Sequence, residues 1–565
     1  MPSGGAMQPR TDCRKAAPRS TGLLQCVASM PLRAAYLLAC LVLVHAIPAI
    51  AQSQTQRFAI ERFEVTGNTV LTVQEVEDAV RPYTGPSREY GDVQRALEAL
   101  ELRYREQGYS AVLVYVPEQE LTGGVVRLEV TEAKVGSVTV SNARHFDERN
   151  IRRSLPALEE NRTPNAAAIS ANVQLANENP AKNVEVVLRA AEREGVVDAE
   201  LRLTDAPPVK WFVSVDNTGN DQTGNWRTGV GLQHANVFGR DHVLTLNYVS
   251  SPGKWNDVEI MSAGYRVPLY RLGHSVDLIL AKSNVNAGTT TTVAGPLTFA
   301  GKGEIAGVRY NWLLPRRGLY THRVVFALDY KAFRNTCSLG VFGAAGCGSA
   351  GVDITDRPAS VTYAAQSVKL DSVTDFAVSY SHNLPGTGKG ESTDFVAARP
   401  SPAGLGGAPS GFEIMRATGS HARVLPGDFQ FRIAGAAQYT KDALIPQEQV
   451  GIAGSTAVRG FLEREVARDV GYFVNAELYS PDLASAARAQ GSLRVLAFYD
   501  RGAARNNPLP GEAGQAQIIS SAGSGVRWNL DKKSTVRFDV ARVIQGVATR
   551  PDGRWRGHAA FYYAF

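Results

Sequence analysis

Residues 451–471 read GIAGSTAVRGFLEREVARDVG, and Phe498-Tyr499-Asp500-Arg501-Gly502 follows downstream. Val458-Arg459-Gly460-Phe461 falls in a Gly-rich loop between segments of strand periodicity. In the second stretch the period of two puts Arg494, Leu496, Phe498 and Asp500 on one face, and Leu493, Val495, Ala497 and Tyr499 on the other. Taken on spacing alone, Arg459 reads as a solvated loop residue and Asp500 as a turn cap before Gly502. Placed together inside a confined space, the same two side chains would form a bidentate ion pair.

The stretches around them decide which space that is. Phe429, Phe431, Ile433, Gly435, Ala437 and Tyr439 alternate with Gln430, Arg432, Ala434, Ala436 and Gln438. Val536, Phe538 and Val540 alternate with Arg537, Asp539 and Ala541. In a water-soluble sheet the apolar face is the core, whereas in a lipid-facing barrel it points outward. Three features favour the membrane. An export signal precedes the fold, the segments are long enough to cross at a tilt, and aromatics recur at segment ends (Tyr265, Tyr310, Trp312, Tyr380, Tyr479). The last strand puts Trp555, Gly557, Ala559, Phe561, Tyr563 and Phe565 on one face, with Phe565 terminal. About sixteen strand-like segments lie between residues 211 and 565, an even number as single-chain barrels prefer.

Residues 57–205 have another texture. Strand 58–65 ends in the turn Thr66-Gly67-Asn68, helical spacing covers 73–80 and 93–105, and strands follow at 111–116 and 125–130. The order β-α-α-β-β recurs as 135–140, 148–155, 164–176, 184–188 and 197–203, a repeat of about 75 residues. Pro207-Pro208 separates the two regions.

Arg33, the apolar run 34–47 and Pro48-Ala49-Ile50-Ala51 read as a signal peptide over residues 1–51, with Met30 its expected true start. Its removal takes away five basic residues and one acid, so the formal charge falls from +6 to +2 and no nucleic-acid partner is indicated. No later stretch approaches about 18 consecutive apolar residues. Cys337 and Cys347, in a Gly/Ala-rich loop of an exported chain, read as a small disulfide. Motifs of chemistry are missing. No G-x-S-x-G or H-E-x-x-H occurs, and Gly295 to Gly301-Lys302 has the wrong spacing for a phosphate loop. The scattered His form no ligand cluster, so neither an enzyme, a metal nor a cofactor is expected.

Several motifs in order carry a family resemblance: Phe63-x-Val65-x-Gly67-Asn68-Thr69 with Leu71, Tyr104-x3-Gly108-Tyr109, Val116-Pro117-x-Gln119-x-Leu121, Leu155-Pro156, Leu175-x-Asn177-x2-Pro180 and Val184. Together with Val458-Arg459-Gly460-Phe461 and Phe498-x-Asp500-x-Gly502, they resemble the two-partner secretion transporters that export haemolysins and filamentous adhesins. The resemblance implies a transmembrane antiparallel β-barrel of about sixteen strands behind two small α/β polypeptide-transport-associated (POTRA) domains. The expected organisation is POTRA domains at 57–132 and 133–205, then a barrel at 209–565 with the loop around 451–470 inside its lumen. It implies that Arg459 meets Asp500, and that Phe561, Tyr563 and Phe565 form the signal read by the barrel assembly machinery. The implied protein sits in the lipid of the bacterial outer membrane with its POTRA domains in the periplasm. There they would recognise a large unfolded secreted client and pass it to the cell surface. One departure is that only residues 52–57 precede the first strand, which leaves no room for the plug helix that some members carry. The rival readings are an assembly factor for outer-membrane barrels, a passive porin and an enzyme on a barrel scaffold; the repeat at 57–205 argues against the porin.

Overall fold

The computed structural model describes residues 56–121, 123–285, 288–299, 302–334, 349 and 351–565. The 1–51 leader and the pair of Cys337 and Cys347 lie outside these residues. The first module runs β1 (Phe58–Ile60), β2 (Arg62–Thr66), α1 (Val73–Val80), β3 (Gly85–Arg88), α2 (Tyr90–Glu106), β4 (Val112–Tyr115) and β5 (Val125–Glu132). β5 is central, parallel to β2 and antiparallel to β4, while β1 pairs with β3. The Gly67-Asn68-Thr69 turn has a clear physical cause. Gly67 has φ of +83°, and a Cβ there would stand 2.1 Å from the Val130 carbonyl oxygen. Asn68 Oδ1 accepts from the Leu71 N–H at 3.0 Å and the Tyr104 hydroxyl at 2.5 Å. The Glu132 carboxylate accepts the N–H groups of Thr69 and Val70 at 2.8 and 3.0 Å. Thr72 and Glu75 then close a reciprocal cap on α1. One face of α2 (Val93, Ala96, Leu100, Tyr104) is buried together with Leu128 of the sheet.

The second module runs β6 (Lys134–Ser141), α3 (Glu148–Ser154), α4 (Ala166–Ala176), β7 (Lys182–Ala190) and β8 (Val196–Asp205), with sheet order β6-β8-β7. β7 is an edge. The Asn177 side chain bonds both the N–H (2.7 Å) and the C=O (3.0 Å) of Val184, so it caps the first part of that edge. The alternation of main-chain groups gives Val186 and Leu188 the same outward direction.

The rest of the chain is a closed antiparallel barrel. Its strands are β9 (Val209–Asp216), β10 (Arg227–Val237), β11 (His242–Ser250), β12 (Ile260–Leu269), β13 (His274–Ser283), then, after a hairpin of β14 (Gly288–Thr292) and β15 (Gly295–Phe299), β16 (Gly303–Leu313) and β17 (Tyr320–Phe333). They continue as β18 (Ile354–Asp356), β19 (Pro358–Val368), β20 (Ser372–Asn383), β21 (Glu413–Val424) and β22 (Gln430–Tyr439). The helix α5 (Ser392–Ala398) lies between β20 and β21. A short ladder of β23 (Val450–Gly451) and β24 (Ala467–Arg468) precedes β25 (Val470–Tyr479), β26 (Ser492–Arg505), β27 (Ala516–Asn529), β28 (Ser534–Gln545) and β29 (Trp555–Ala564). β18 and β19 both pair with β17 and form one stave, giving a 16-strand barrel. β29 closes the wall onto β9, and Phe565 exchanges two 2.9 Å main-chain bonds with Trp211. The outward row on β29 holds exposed Phe561 and Phe565, and the Tyr563 ring stacks on Phe565. Tyr265, Tyr310, Trp312 and Tyr380 fall on the outward face by register, whereas Tyr479 turns inward and donates to Glu477. The β14–β15 hairpin leans on the inner wall, where Gly264 lacks the Cβ that would meet the Val293 main-chain nitrogen at 2.8 Å.

The second module is packed onto the near end of the barrel. Ala235, Tyr270 and Leu313 of the barrel belong to its apolar core. Lys182, fully buried, reaches Asp241 at 2.5 Å and Asn150 at 3.1 Å, and the Tyr270 hydroxyl donates to the same Asp241 at 2.7 Å. Burial holds the Lys182 ammonium below its usual pKa, although Asp241 opposes the shift. Asp241→Ala is expected to strand that ammonium and cost roughly 3–5 kcal/mol, while Asp241→Ala combined with Lys182→Met costs less. Thermal unfolding and protease cleavage near residues 206–208 of the full chain measure both; equal losses would contradict the pairing.

Candidate functional site

The loop between β22 and β25 turns back into the barrel, and its tip meets the inward faces of β25 to β29. Arg459 is the centre. Its Nε donates to Asp500 Oδ2 at 2.7 Å, its Nη2 to Asp500 Oδ1 at 2.8 Å, and its main-chain N–H to Oδ2 at 3.1 Å. Nη1 lies 2.8 Å from Glu477 and 3.6 Å from Asp539. The guanidinium carbon sits 3.5 Å from the centre of the Phe498 ring. Arg459 is 3% exposed and Asp500 0%. Asn475 braces the pair by donating to Asp500 Oδ1 at 2.9 Å and to the Ala457 carbonyl of the loop at 2.7 Å. Gly460 donates its N–H to His558 Nε2 at 2.9 Å. That bond requires the neutral ring with the proton on Nδ1.

Charge balances locally. Arg432 meets Glu477 at 3.0 Å, and Arg527 grips Asp539 at 2.7 and 3.0 Å. Three guanidiniums (Arg432, Arg459, Arg527) thus face three carboxylates (Glu477, Asp500, Asp539), which is what a poorly solvated interior demands.

Each remaining motif residue has a part in the close approach. Val458 and Phe461 are fully buried in a cluster with Ile452, Ala504, Ile519 and Val543. Gly460 has φ of +96°, and a Cβ on it would reach Val543 at 3.3 Å. Gly502 lets Val458 and Ile452 pack on the wall, since a Cβ there would meet them at 3.1 and 3.2 Å. The two motifs therefore come together over the 41-residue separation of Arg459 and Asp500. Glu477, Asp539, Asn475 and His558 were not singled out from the sequence. Strand parity could have placed Glu477 and Asp539 inward, but nothing in sequence tells which inward carboxylate meets the loop.

A second set of ties holds the base of the loop. Glu448 pairs with Lys331 of β17 and, at 2.8 Å, with Arg416 of β21. Asp469 accepts from Arg399 after α5 at 2.7 Å, from Leu444 at 3.1 Å and from Asn507 at 2.8 Å, lacing three neighbouring loops together.

Family comparison points the same way. A model described as "Haemolysin secretion/activation protein ShlB/FhaC/HecB" matches residues 196–528, and one described as "POTRA domain, ShlB-type" matches residues 58–133. The heme/hemopexin transporter protein HuxB of Haemophilus influenzae is 24% identical over 213 residues, covering 36% of this chain and 37% of that protein. The outer membrane transporter CdiB of Escherichia coli O6:K15:H31 is 23% identical over 433 residues, covering 74% and 68%. The first relatives are thus matched over little more than a third of their length. Among solved structures, CdiB from Escherichia coli superposes with a TM-score of 0.70 at 18% identity, covering 92% of this chain and 93% of that one. CdiB from Acinetobacter baumannii gives 0.65 at 15% identity, covering 91% of each. At these identities the superpositions establish the fold.

Arg459→Ala and Asp500→Ala are each expected to destabilise the barrel and lower its thermal midpoint, the loss reaching about 3–5 kcal/mol for a fully buried pair. The double variant loses less than the sum. His558→Ala leaves the Gly460 N–H unpaired and costs about 1–3 kcal/mol. The gel-mobility shift of samples pre-incubated at a series of temperatures reads all four; strictly additive losses for Arg459 and Asp500 would contradict their contact.

Proposed function

The chain belongs to the ShlB/FhaC/HecB family of haemolysin secretion/activation proteins, and from that premise we propose that it passes a large unfolded partner protein across the outer membrane to the cell surface. The observation that carries this reading is a 16-strand barrel docked to POTRA-type modules, with the loop between β22 and β25 tied inside it. The two modules are the client-binding part and occupy the periplasm. Their edges β4 and β7 take up an extended client as an added strand, so main-chain bonds supply affinity with little demand on client sequence. β7 suits this best. Beyond the Asn177 cap it offers the outward main chain of Val186 and Leu188, beside an apolar groove lined by Ile169 and Val173 of α4.

The pair of Arg459 and Asp500 acts as a structural lock. Fixed through the lumen, the loop narrows the pore and braces the wall, and its displacement makes room for the client. No step of this process breaks or makes a covalent bond in the client, so the chain acts as a conduit and not as an enzyme. Free energy comes from the client's folding outside the cell. Phe561, Tyr563 and Phe565 present the outward aromatic row that the barrel assembly machinery reads.

The test is secretion, in cells, of the exported protein encoded beside this gene. Leu188→Pro removes one outward N–H from the edge of β7 while leaving the ladder to β8 intact, so the module stays folded. Secretion is expected to fall several-fold with barrel assembly unchanged. Full secretion by Leu188→Pro would remove β7 from the account, and surface delivery of the client in cells lacking this chain would overturn the transport role.

A further inference from the structure

Strand register assigns every wall residue to the lumen or to the lipid. Following outward positions from β9 to β29 gives a short inventory of charged side chains on the lipid face. Lys282 of β13 stands directly opposite Glu304 of β16. Arg423 of β21 pairs with Asp371 at 3.2 Å at the periplasmic end. Glu413 of β21 stands opposite His382 and lies 3.6 Å from it. Three cations remain that form no ion pair among the described residues: Arg501 and Arg505 on β26 and Arg542 on β28, all exposed.

Their direction is fixed by their neighbours. Arg501 pairs with Val474 and Ser520, in the same outward rows as Tyr499, Val495 and Ala497. Arg542 pairs with Ala522 and with Trp555, in the outward row of Phe538 and Val540. Tyr499 is itself opposite Ala522, so Tyr499, Arg542 and Trp555 lie along one line across three strand spacings. Arg501 sits one outward position above Tyr499, against the hydroxyls of Tyr499 and Tyr472.

Height along the wall is informative too. From Leu493, at the periplasmic end of β26, to Arg501 the strand climbs about 20 Å across the bilayer at 3.3 Å per residue and a tilt near 40°. The apolar band of such a barrel is about 25 Å tall and is bordered by aromatics. The guanidiniums therefore stand near the upper edge of that band, among the outward rings of Tyr472, Tyr499 and Trp555. An unpaired cation is destabilising within hydrocarbon and tolerated at the headgroup level. Guanidinium forks there match phosphate oxygens, and the adjoining rings give a flat apolar shoulder for acyl chains. Arg501 and Arg542 lie two strand spacings apart and at slightly different heights, about 10–12 Å. One headgroup with two phosphates can engage both.

We propose that the outward patch of Arg501, Arg505 and Arg542, bordered by Tyr499 and Trp555, is a docking site for a phosphorylated glycolipid of the outer leaflet. The occupant follows from charge and location: the patch faces lipid, it carries only positive charge, and it lies on the extracellular half of the wall. It adjoins β29, the strand that closes the barrel, so bound lipid would support the wall close to its seam.

The test uses the full-length protein purified in detergent and stripped of lipid. Native mass spectrometry follows the retention of added diphosphoryl lipid A, the same glycolipid without phosphates, and phosphatidylglycerol. The wild type is expected to retain diphosphoryl lipid A best. R501Q/R542Q is expected to weaken that retention by about tenfold or more, as loss of charge-assisted contacts implies. R423Q, at the opposite end of the wall, serves as control and keeps wild-type retention. Equal retention by wild type and R501Q/R542Q, or equal binding of the phosphate-free glycolipid, would overturn the proposal. So would full competition by inorganic phosphate alone, which would mark a simple anion site. Should R501Q/R542Q fail to assemble, R501K/R542K keeps the charge without the fork and is expected to show intermediate retention, while the wild-type comparison of phosphorylated and phosphate-free lipid decides by itself.

Discussion

A chain that crosses a bilayer as strands must hydrogen-bond every main-chain group within itself. The rest of this structure follows from that requirement. It forces the last strand to find the first, which β29 does against β9. It turns the apolar row of each strand outward and leaves the polar row to line an interior. Sixteen strands enclose more space than their own side chains fill. The interior is then occupied by the chain itself, through the loop before β25 and the hairpin of β14 and β15. Charge inside such a space has to balance, and the guanidiniums of Arg432, Arg459 and Arg527 do so against Glu477, Asp500 and Asp539.

The two regions of the chain are also joined in physical terms. The second module does not hang from a free linker. Lys182 and Asp241 form a buried pair across the junction, and Glu178 meets Arg266 and Arg323 at the mouth of the barrel at 3.5 and 2.9 Å. A client strand added to β7 would therefore begin its path on a platform fixed to the pore. The loop-tip contacts and the module junction sit on one continuous wall, since the strands from β10 to β17 carry the junction and β25 to β29 carry the tip contacts.

Much of this was legible in residue order because the governing rules are local. The period of two in Gln430–Tyr439 and Ser534–Gln545 is written in neighbouring residues. The Gly67-Asn68-Thr69 turn and the cap by Thr72 are local as well. The pair of Arg459 and Asp500 is not local, and spacing alone favoured the solvated reading; family resemblance supplied the contact. The partners Glu477, Asp539 and His558 belong to three separate strands whose inward residues look alike in sequence. The short strand β3 escaped notice because Gly85-Pro86 lacks strand propensity and pairs only through β1. Tyr479 was counted with the border aromatics, yet its parity turns it inward, where it serves Glu477. The module–barrel junction was equally silent, since Lys182 and Asp241 lie 59 residues apart with no motif around either.

The central claim is that the loop tip occupies the lumen because Arg459 and its neighbours hold it there. The ladder of β23 with β24 closes the base of the loop, so residues 452–466 can be excised and the two short strands joined by a tight turn. Single-channel conductance of the assembled protein in planar bilayers measures the result directly. The account predicts a conductance several-fold above that of the intact chain. A conductance unchanged by the excision would contradict it.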